Sequence, residues 1–302
     1  MPDEFLSICI PTRNRSHLLR DLLTSLVAGI NAAELTPEDV RVYVSDNAST
    51  DSTRAVAYEV MGTLPHFTYW CNEHNIGARK NILNCASRPV GAYRWIIGDD
   101  ESLPLETLPY LLLHLKANRP GWFIHSDGRF SSALRPPRCY ADVGEFARAA
   151  ATDAPGLLIT AGTISLNTFR HDCFDHALAQ SLEAASNYAH FFGLMNGLRT
   201  AKATVFLTDK PTVIFREKRP APADGELPDN SDANWRECMK WLKEQFQLEG
   251  LDPEINSRLV SQEWVRQAIR HPWKTLRNNA ALFLIPATYP RIAKRLWFAI
   301  KR

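Results

Sequence analysis

Residues Tyr93 to Glu101 read YRWIIGDDE. Two aromatic residues and two isoleucines ahead of a glycine predict a buried strand running to its C-terminal end, with three carboxylates immediately beyond it. The C-terminal ends of strands are where open α/β sheets place their ligands. Asp99, Asp100 and Glu101 repel one another, so a chain that crowds them at a strand end has a use for a cation there. The residues also fit a plain acidic turn, with Glu101 or Ser102 capping a helix ahead of Pro104.

The segments upstream decide what kind of sheet this strand belongs to. Phe5 to Ile10 (FLSICI) reads as a first buried strand closed by Pro11, followed by the loop Thr12-Arg13-Asn14-Arg15. Ser16 then caps an amphipathic helix with Leu18, Leu19, Leu22, Leu23, Leu26 and Val27 at helical spacing. Val40 to Ser45 predicts a second strand, and Asp46 to Asp51 a polar turn into a helix. Phe67 to Cys71 predicts a third strand, after which Asn75-Ile76-Gly77 opens a helix carrying Arg79 and Asn81. Four strands alternating with helices in about the first hundred residues predict a mostly parallel α/β sheet with right-handed crossovers.

Four polar loops then gather on one edge of that sheet. They bring together Thr12, Arg13, Asn14, Asp46, Asn47, Asp51, Asn75, Arg79, Asp99, Asp100 and Glu101. Asp51 can equally cap its own helix, and Asn47 and Asn75 can serve as turn residues bonded to their own backbone. Neither GxGxxG after the first strand nor GxxxxGK[ST] occurs, so a dinucleotide fingerprint and a Walker loop are both excluded.

These residues resemble the family 2 glycosyltransferases of the Rossmann-like GT-A fold. IPTRNR is similar to the PTYNR of that family's first strand, VSDNASTDST to its VDDGSTD loop, NIGARKN to its NxGxxxAxN segment and GDDE to its DXD metal site. The four motifs occur in the family's order and cover about the first 105 residues. The resemblance implies that Asp46 accepts hydrogen bonds from the donor's nucleobase, with Pro11, Thr12 and Arg13 lining base and ribose. Asn14, Asn47, Asn75 and Asp99 fall in the same donor-binding loops. It implies that Arg79 approaches the diphosphate or its neighbouring carboxylates. Asp100, with Glu101, becomes the candidate ligand of a divalent Mn2+ or Mg2+ ion. The match is shifted: aligned through Leu103, the family's first aspartate falls on Gly98.

In the middle third, Leu105 to Lys116 predicts an amphipathic helix, Gly121 to His125 a core strand and Phe130 to Arg138 a loop on the acceptor side. Leu157 to Leu166 (LLITAGTISL) is expected to return to the sheet, with a helix starting at Thr168. The family's general base lies in an ED pair hereabouts, but counting from NTFRHDCFDHAL puts Ala189-His190 at that place. His190 is therefore the first candidate for the base, since neutral imidazole can take a hydroxyl proton at physiological pH. A histidine among phenylalanines also fits a hydrogen-bonded core residue. Asp172, then Asp175, are the fallbacks, and His125 and Asp127 are further polar groups that could reach the acceptor. Thr204 to Leu207 and Thr212 to Phe215 read as a hairpin.

The expected organisation is a catalytic domain over 1–215, split into a nucleotide-sugar half (1–105) and an acceptor half (106–215), a loop or linker over 216–232, and a helical extension over 233–302. From Trp264 onward there are nine Lys or Arg and no Asp or Glu, so the other 263 residues carry 26 basic against 33 acidic groups, a net of −7. Basic residues interleaved with Trp273, Phe283, Trp297 and Phe298 suit an anionic membrane surface, or a face packed on the body or on a second subunit, which leaves oligomerisation open. An acidic body disfavours nucleic acid. Six scattered cysteines without CxxC spacing predict reduced, mostly buried thiols, and no signal peptide or membrane-spanning run is expected. The expectation is a cytoplasmic enzyme, peripheral to the inner face of the cell membrane. It would move a sugar from a nucleotide-sugar to a saccharide acceptor, lipid-linked, in surface-polysaccharide synthesis of the O-antigen kind, with inversion. A nucleotidyltransferase and a non-catalytic nucleotide-sugar-binding protein are the alternatives.

Overall fold

The structure is a computed structural model that describes residues 4–64, 67–127, 138–152, 156–215, 231–249, 251 and 253. The chain divides into two compact units, residues 1–143 with 160–228 and residues 144–159 with 229–302. Of the loop or linker expected over 216–232, residues 216–230 lie outside the described residues and the last two already belong to a helix, Ser231–Phe246; the acceptor-side loop up to residue 137 and the basic tail beyond 253 also lie outside the described residues.

The first unit is built on an eight-stranded sheet. β1 (Leu6–Thr12), β2 (Val40–Asp46), β3 (Phe67–Cys71) and β4 (Tyr93–Ile96) are parallel, in the spatial order β3-β2-β1-β4. Between them run α1 (Ser16–Ala32), α2 (Thr53–Met61) and α3 (Ala78–Ser87). Ile8, Ile10, Val42, Val44, Trp95 and Ile97 share one buried cluster with Leu19, Leu22, Leu23 and Leu26 of α1. Leu108, Leu111, Leu112 and Leu115 of α4 (Thr107–Asn118) complete that cluster. Strands covered by helices are apolar along their whole length, which is why they read as continuous hydrophobic runs.

Beyond β4 the sheet departs from the expectation. The next strand in space is β8 (Asn167–Arg170), antiparallel to both β4 and β6 (Trp122–Ser126). Leu157 to Leu166 is not a strand: α6 (Gly156–Gly162) and a 3-10 turn over Ile164–Leu166 occupy it, and Thr168 lies inside β8 rather than at a helix start. The returning strand is polar because its interior partners are polar. Trp122 Nε1 donates to Asn167 Oδ1 at 2.9 Å, and Thr168 Oγ1 meets His125 Nε2 at 2.7 Å. Buried polar groups are tolerated when paired, and such a strand carries no hydrophobic signature.

Nor is there a hairpin after Thr204. β9 (Val205–Pro211) runs parallel to β6 and takes β7 (Arg138–Tyr140) as an antiparallel edge, while β10 (Ile214–Phe215) pairs with β5 (Glu101–Ser102) in a separate two-stranded ribbon. Thr212 is held in place of a turn, its N–H donating to Ser126 O at 2.8 Å and its carbonyl accepting from Thr107 Oγ1 at 3.0 Å. Glu101 and Ser102 are therefore strand residues and cap no helix; α4 begins at Thr107 after Glu106. Similarly α1 is preceded by Arg15, and the Ser16 N–H donates to Asp51 Oδ2 at 3.0 Å.

On the far side of β8, α7 (His176–Leu182) and α8 (Ala189–Ala201) follow a 3-10 turn over His171–Cys173. A Cβ on Gly197 would collide with the Cys173 carbonyl, and one on Gly193 would lie 2.9 Å from Ala179 Cβ and from Asp175 O. The second unit buries Phe146 and Ala147 of α5 (Val143–Thr152), Leu157 and Leu158 of α6, and Trp235, Cys238, Met239 and Leu242 of α9 (Ser231–Phe246). All six cysteines are free, four of them buried. Among the described residues no helix is long and apolar enough to cross a membrane.

The close approach at Gly197 makes a direct prediction. Gly197→Ala should destabilise the protein by about 1–3 kcal/mol despite alanine's better helix propensity, because the backbone of the 171–173 turn has to move. Urea unfolding measures this, and a stabilised variant would show that α8 is not seated on that turn.

Candidate active site

The geometry of the upper sheet edge follows from β1, β2 and β4 ending side by side. Thr12 pairs with Asp46 in the β1–β2 register, and Asn47 N–H donates to Thr12 O at 2.9 Å. Thr12 Oγ1 reaches sideways to Asp99 Oδ2 at 2.7 Å. One threonine thus ties the second strand's loop to the fourth strand's.

Asp46 is almost wholly buried, with Oδ1 accepting from Ser49 N–H at 2.8 Å and Oδ2 from Tyr69 O–H at 2.6 Å. The Asp46 turn is bolted to the loop after β1. Asn14, at φ 49°, donates its N–H to Ser49 Oγ and accepts from Thr50 N–H at 2.7 Å, while Arg13 Nη1 lies 3.4 Å from Asn47 O. Asparagine tolerates this left-handed backbone better than most residues. Asp51 joins the two helix starts, accepting from Ser16 N–H and from Thr53 N–H and Oγ1. Its oxygens serve as a cap, the alternative to a ligand role. Pro11, the next-to-last residue of β1, is in register with Ser45.

An asparagine network places α3. Asn47 Nδ2 donates to Asn75 Oδ1 at 2.7 Å, and its Oδ1 accepts from Ile76 N–H at 2.9 Å and Asn72 Nδ2 at 3.2 Å. Asn72 also donates to Asn81 Oδ1, which takes Ser45 Oγ at 2.6 Å. Gly77 turns the chain into α3 at φ 84°, a conformation open to glycine. Arg79, in the first turn, lies 3.5 Å from Asn187 Oδ1, just ahead of α8.

Past β4, Asp99 is buried and its Oδ1 is paired with Arg15 Nη1 at 3.0 Å; the same Nη1 lies 3.9 Å from Asp100 Oδ2. Burial pushes the Asp99 carboxyl up to about 6 against the opposing pull of Arg15 and Thr12. Asp100 is partly exposed. Glu101 is buried, with Oε1 3.4 Å from Ser165 Oγ, the same hydroxyl that accepts from Gly98 N–H at 3.0 Å. A Cβ on Gly98 would lie 2.9 Å from Asp100 Oδ1. Among the described residues no three His, Cys, Asp or Glu side chains are grouped to hold a metal ion. The donor set fits the other kind of divalent site, in which one or two protein carboxylates act with substrate phosphates and water.

The base candidates separate. His190 sits at the start of α8, with Nε2 3.1 Å from Gly162 O. A carbonyl only accepts, so Nε2 carries the proton and Nδ1 keeps its lone pair. Gly162 precedes Ser165 at the edge where Asp99 lies, which places His190 on the site's side of the sheet. Desolvation lowers the His190 pKa to about 4. Asp172 is elsewhere: His171 N–H bonds Ala92 O, ahead of β4, so Asp172 lies at the opposite sheet edge, about 20 Å from Asp99 at strand spacing. It is paired there with Arg170 at 2.6 Å. Asp175 caps α7 through Leu178 N–H and takes Asn196 Nδ2 at 2.7 Å. His125 is fully buried, stacked on Trp95 at 4.2 Å, and both ring nitrogens meet threonine hydroxyls, so it is a core residue and not an acceptor contact. Asp127 follows β6 and is half-buried.

Arg15, Tyr69 and Ser165 are the residues that sequence reasoning passed over. Arg15 had a signal, as the last residue of the very loop that carries Thr12 and Arg13. Tyr69 and Ser165 had none, because both lie in runs that read as core strand.

Burial of His125 pushes its pKa down to about 3. The unfolded chain takes up a proton there below about pH 6.5 and the native state does not. Its contribution to stability is therefore complete above pH 6.5 and falls as the pH drops towards 3. A melting-temperature series over that window should decline less steeply in His125→Gln; an unchanged slope would mean that the ring titrates freely in the fold.

Over 112 residues the chain is 38% identical to "Abequosyltransferase RfbV" of Salmonella typhimurium (strain LT2), covering 36% of this chain and 32% of that protein. The chain thus aligns with about a third of the length of that curated relative. In fold it is similar to S. aureus TarS residues 1–349, with a TM-score of 0.57 at 15% identity over 98% of this chain and 80% of that one. The same protein in complex with UDP-GlcNAc gives 0.56 at 16% identity, over 98% and 81%. Residues 7–170, more than half of the chain, match the family described as "Glycosyl transferase family 2", and the chain belongs to that family.

Proposed function

We propose that this protein is a metal-dependent, inverting glycosyltransferase that moves a hexosyl or deoxyhexosyl group from a nucleotide-diphosphate sugar to a hydroxyl of a saccharide acceptor in surface-polysaccharide synthesis. One observation carries the reading. The loops after β1, β2 and β4 are hydrogen-bonded to one another through Thr12, Asn14 and Asn47, so Asp46 and Asp100 are held at one edge of one rigid sheet. Asp46 would receive the nucleobase, beside Pro11, Thr12 and Arg13. Its two oxygens already take Ser49 and Tyr69, which fixes the carboxylate plane and leaves lone pairs for a base N–H. Arg79, on the first turn of α3, would face the diphosphate with the fork of donors suited to phosphate.

Asp100 is the carboxylate that would hold Mn2+ or Mg2+, which when bound offsets the charge growing on the departing nucleoside diphosphate. His190 would take the acceptor hydroxyl's proton on Nδ1, its Nε2–H being committed to Gly162. Low basicity keeps the ring neutral at physiological pH but makes it a weaker base than free imidazole. The kinship with an abequosyltransferase favours a deoxyhexosyl donor. The basic segment after Trp264 suits attachment to an anionic membrane and hence a lipid-linked acceptor at its inner face.

Thermal stabilisation by UDP-, GDP-, CDP- and dTDP-sugars, each with and without Mn2+, tests the donor site. A ligand at about 100 times its dissociation constant should add roughly 2.7 kcal/mol, for one nucleobase, only with the metal, and not in Asp100→Ala. Stabilisation indifferent to Mn2+ would overturn the metal; none by any donor would leave a protein that is not a nucleotide-sugar enzyme. His190→Gln should lower kcat by roughly 10²–10⁴-fold, and the acid limb of kcat/KM in the parent enzyme should fall near pH 4. Retention of full activity by His190→Gln would remove it as base.

A further inference from the structure

Two arginines leave β1, and they do different things. Arg13 turns to the Asn47 carbonyl. Arg15 crosses to the end of β4, and its backbone is anchored where α1 begins, its carbonyl accepting from Leu18 and Leu19 N–H at 3.0 Å. Its Nη1 is 3.0 Å from Asp99 Oδ1 and 3.9 Å from Asp100 Oδ2, with about a fifth of the side chain exposed. Asp99 Oδ2 is taken by Thr12. Both oxygens of Asp99 are therefore engaged by the protein's own donors, and its charge is matched by a guanidinium that the same loop supplies.

Gly98 explains why such a guanidinium is needed. Its missing Cβ leaves room for Asp100 Oδ1, and the two aspartates stand at adjacent positions. Adjacent carboxylates at a strand end repel each other, and a cation held between them removes one of the two negative charges. We propose that Arg15 is a positioning residue of the donor site: by pairing with Asp99 while facing Asp100, it leaves one net negative charge on the two adjacent aspartates and thereby sets how tightly the edge holds a divalent cation. This inference rests on the reading of Asp100 as the metal carboxylate.

A charge cycle tests it, with Mn2+ alone as probe and the free Mn2+ electron paramagnetic resonance signal as readout on the full chain. At about pH 8, where Asp99 is ionised, Arg15→Gln removes the positive charge beside both aspartates and should tighten Mn2+ binding by about 3–10-fold, a screened Coulombic effect at this separation. Asp99→Asn leaves Arg15 uncompensated beside Asp100 and should weaken binding by a comparable factor. The double variant and Arg15→Lys should both return to within about twofold of the parent, and Asp100→Ala should abolish binding. Melting temperatures establish that each variant is folded. A merely structural Arg15 would give losses in both single variants, and that outcome, or no change in either, overturns the proposal while Asp100→Ala still loses the ion. Should Arg15→Gln not fold, Asp99→Asn decides alone: binding as tight as the parent's or tighter overturns it. Absence of Mn2+ binding in the parent, both with the metal alone and with each of the four nucleotide-sugars present, overturns the metal reading and this inference together.

Discussion

Carboxylates crowded at the end of a buried strand cannot stand without partners, and most of the upper edge of this sheet is arranged around that constraint. Asp99 takes Thr12 from β1 and Arg15 from the start of α1; Glu101 takes Ser165 from the segment entering β8. Each partner comes from a different part of the chain, so satisfying the charges also joins the elements. The order of the edge is a by-product of electrostatics in a region from which water is largely excluded.

The same economy governs the second strand's loop. Asp46, Asn47 and Asp51 bond backbone N–H groups of their own turn and of the next helices, and asparagines 72, 75 and 81 continue the network to Ser45 and Trp70. A loop rich in Asp and Asn satisfies buried backbone donors that a parallel sheet leaves at its strand ends. Because the bonds run loop to loop, the groups proposed for the donor are held by the sheet and not by one flexible turn, which is the pre-organisation a transferase needs.

Beyond β4 the architecture changes its logic. β8 enters the sheet in the opposite direction, and Asn167 and Thr168 place an amide and a hydroxyl in its interior, met by Trp122 and His125. That reversal carries Arg170 and Asp172 to the lower edge and keeps Ser165 at the upper one. It also brings Gly162 to the base of α8, where its carbonyl selects the tautomer of His190. Chain direction in one four-residue strand therefore decides at which sheet edge Ser165 and Asp172 lie.

The first hundred residues were legible because their physics is local. Apolar runs such as VRVYV and YRWII bury on both faces, glycine and asparagine punctuate the turns, and parallel strands put their following loops on one edge; the gathering of Thr12, Asp46, Asn47 and Asp99 follows from order alone. What the sequence could not carry lies where partners are distant in the chain. The strand Asn167–Arg170 is polar, so only its burial against Trp122 and His125 makes it a strand. Thr208 to Pro211 has turn residues yet extends β9, because Thr212 is held by Ser126 and Thr107. His125 and Asp172 carry the right chemistry for a site; stacking on Trp95 buries the one, and strand direction removes the other. Arg15 lies in plain view in the first motif, and its partner is 84 residues away. The kinds of groups at this site were determined by residue identity and strand order; which of them face one another was decided by packing, because charge pairing and burial act between atoms that only the folded chain brings together.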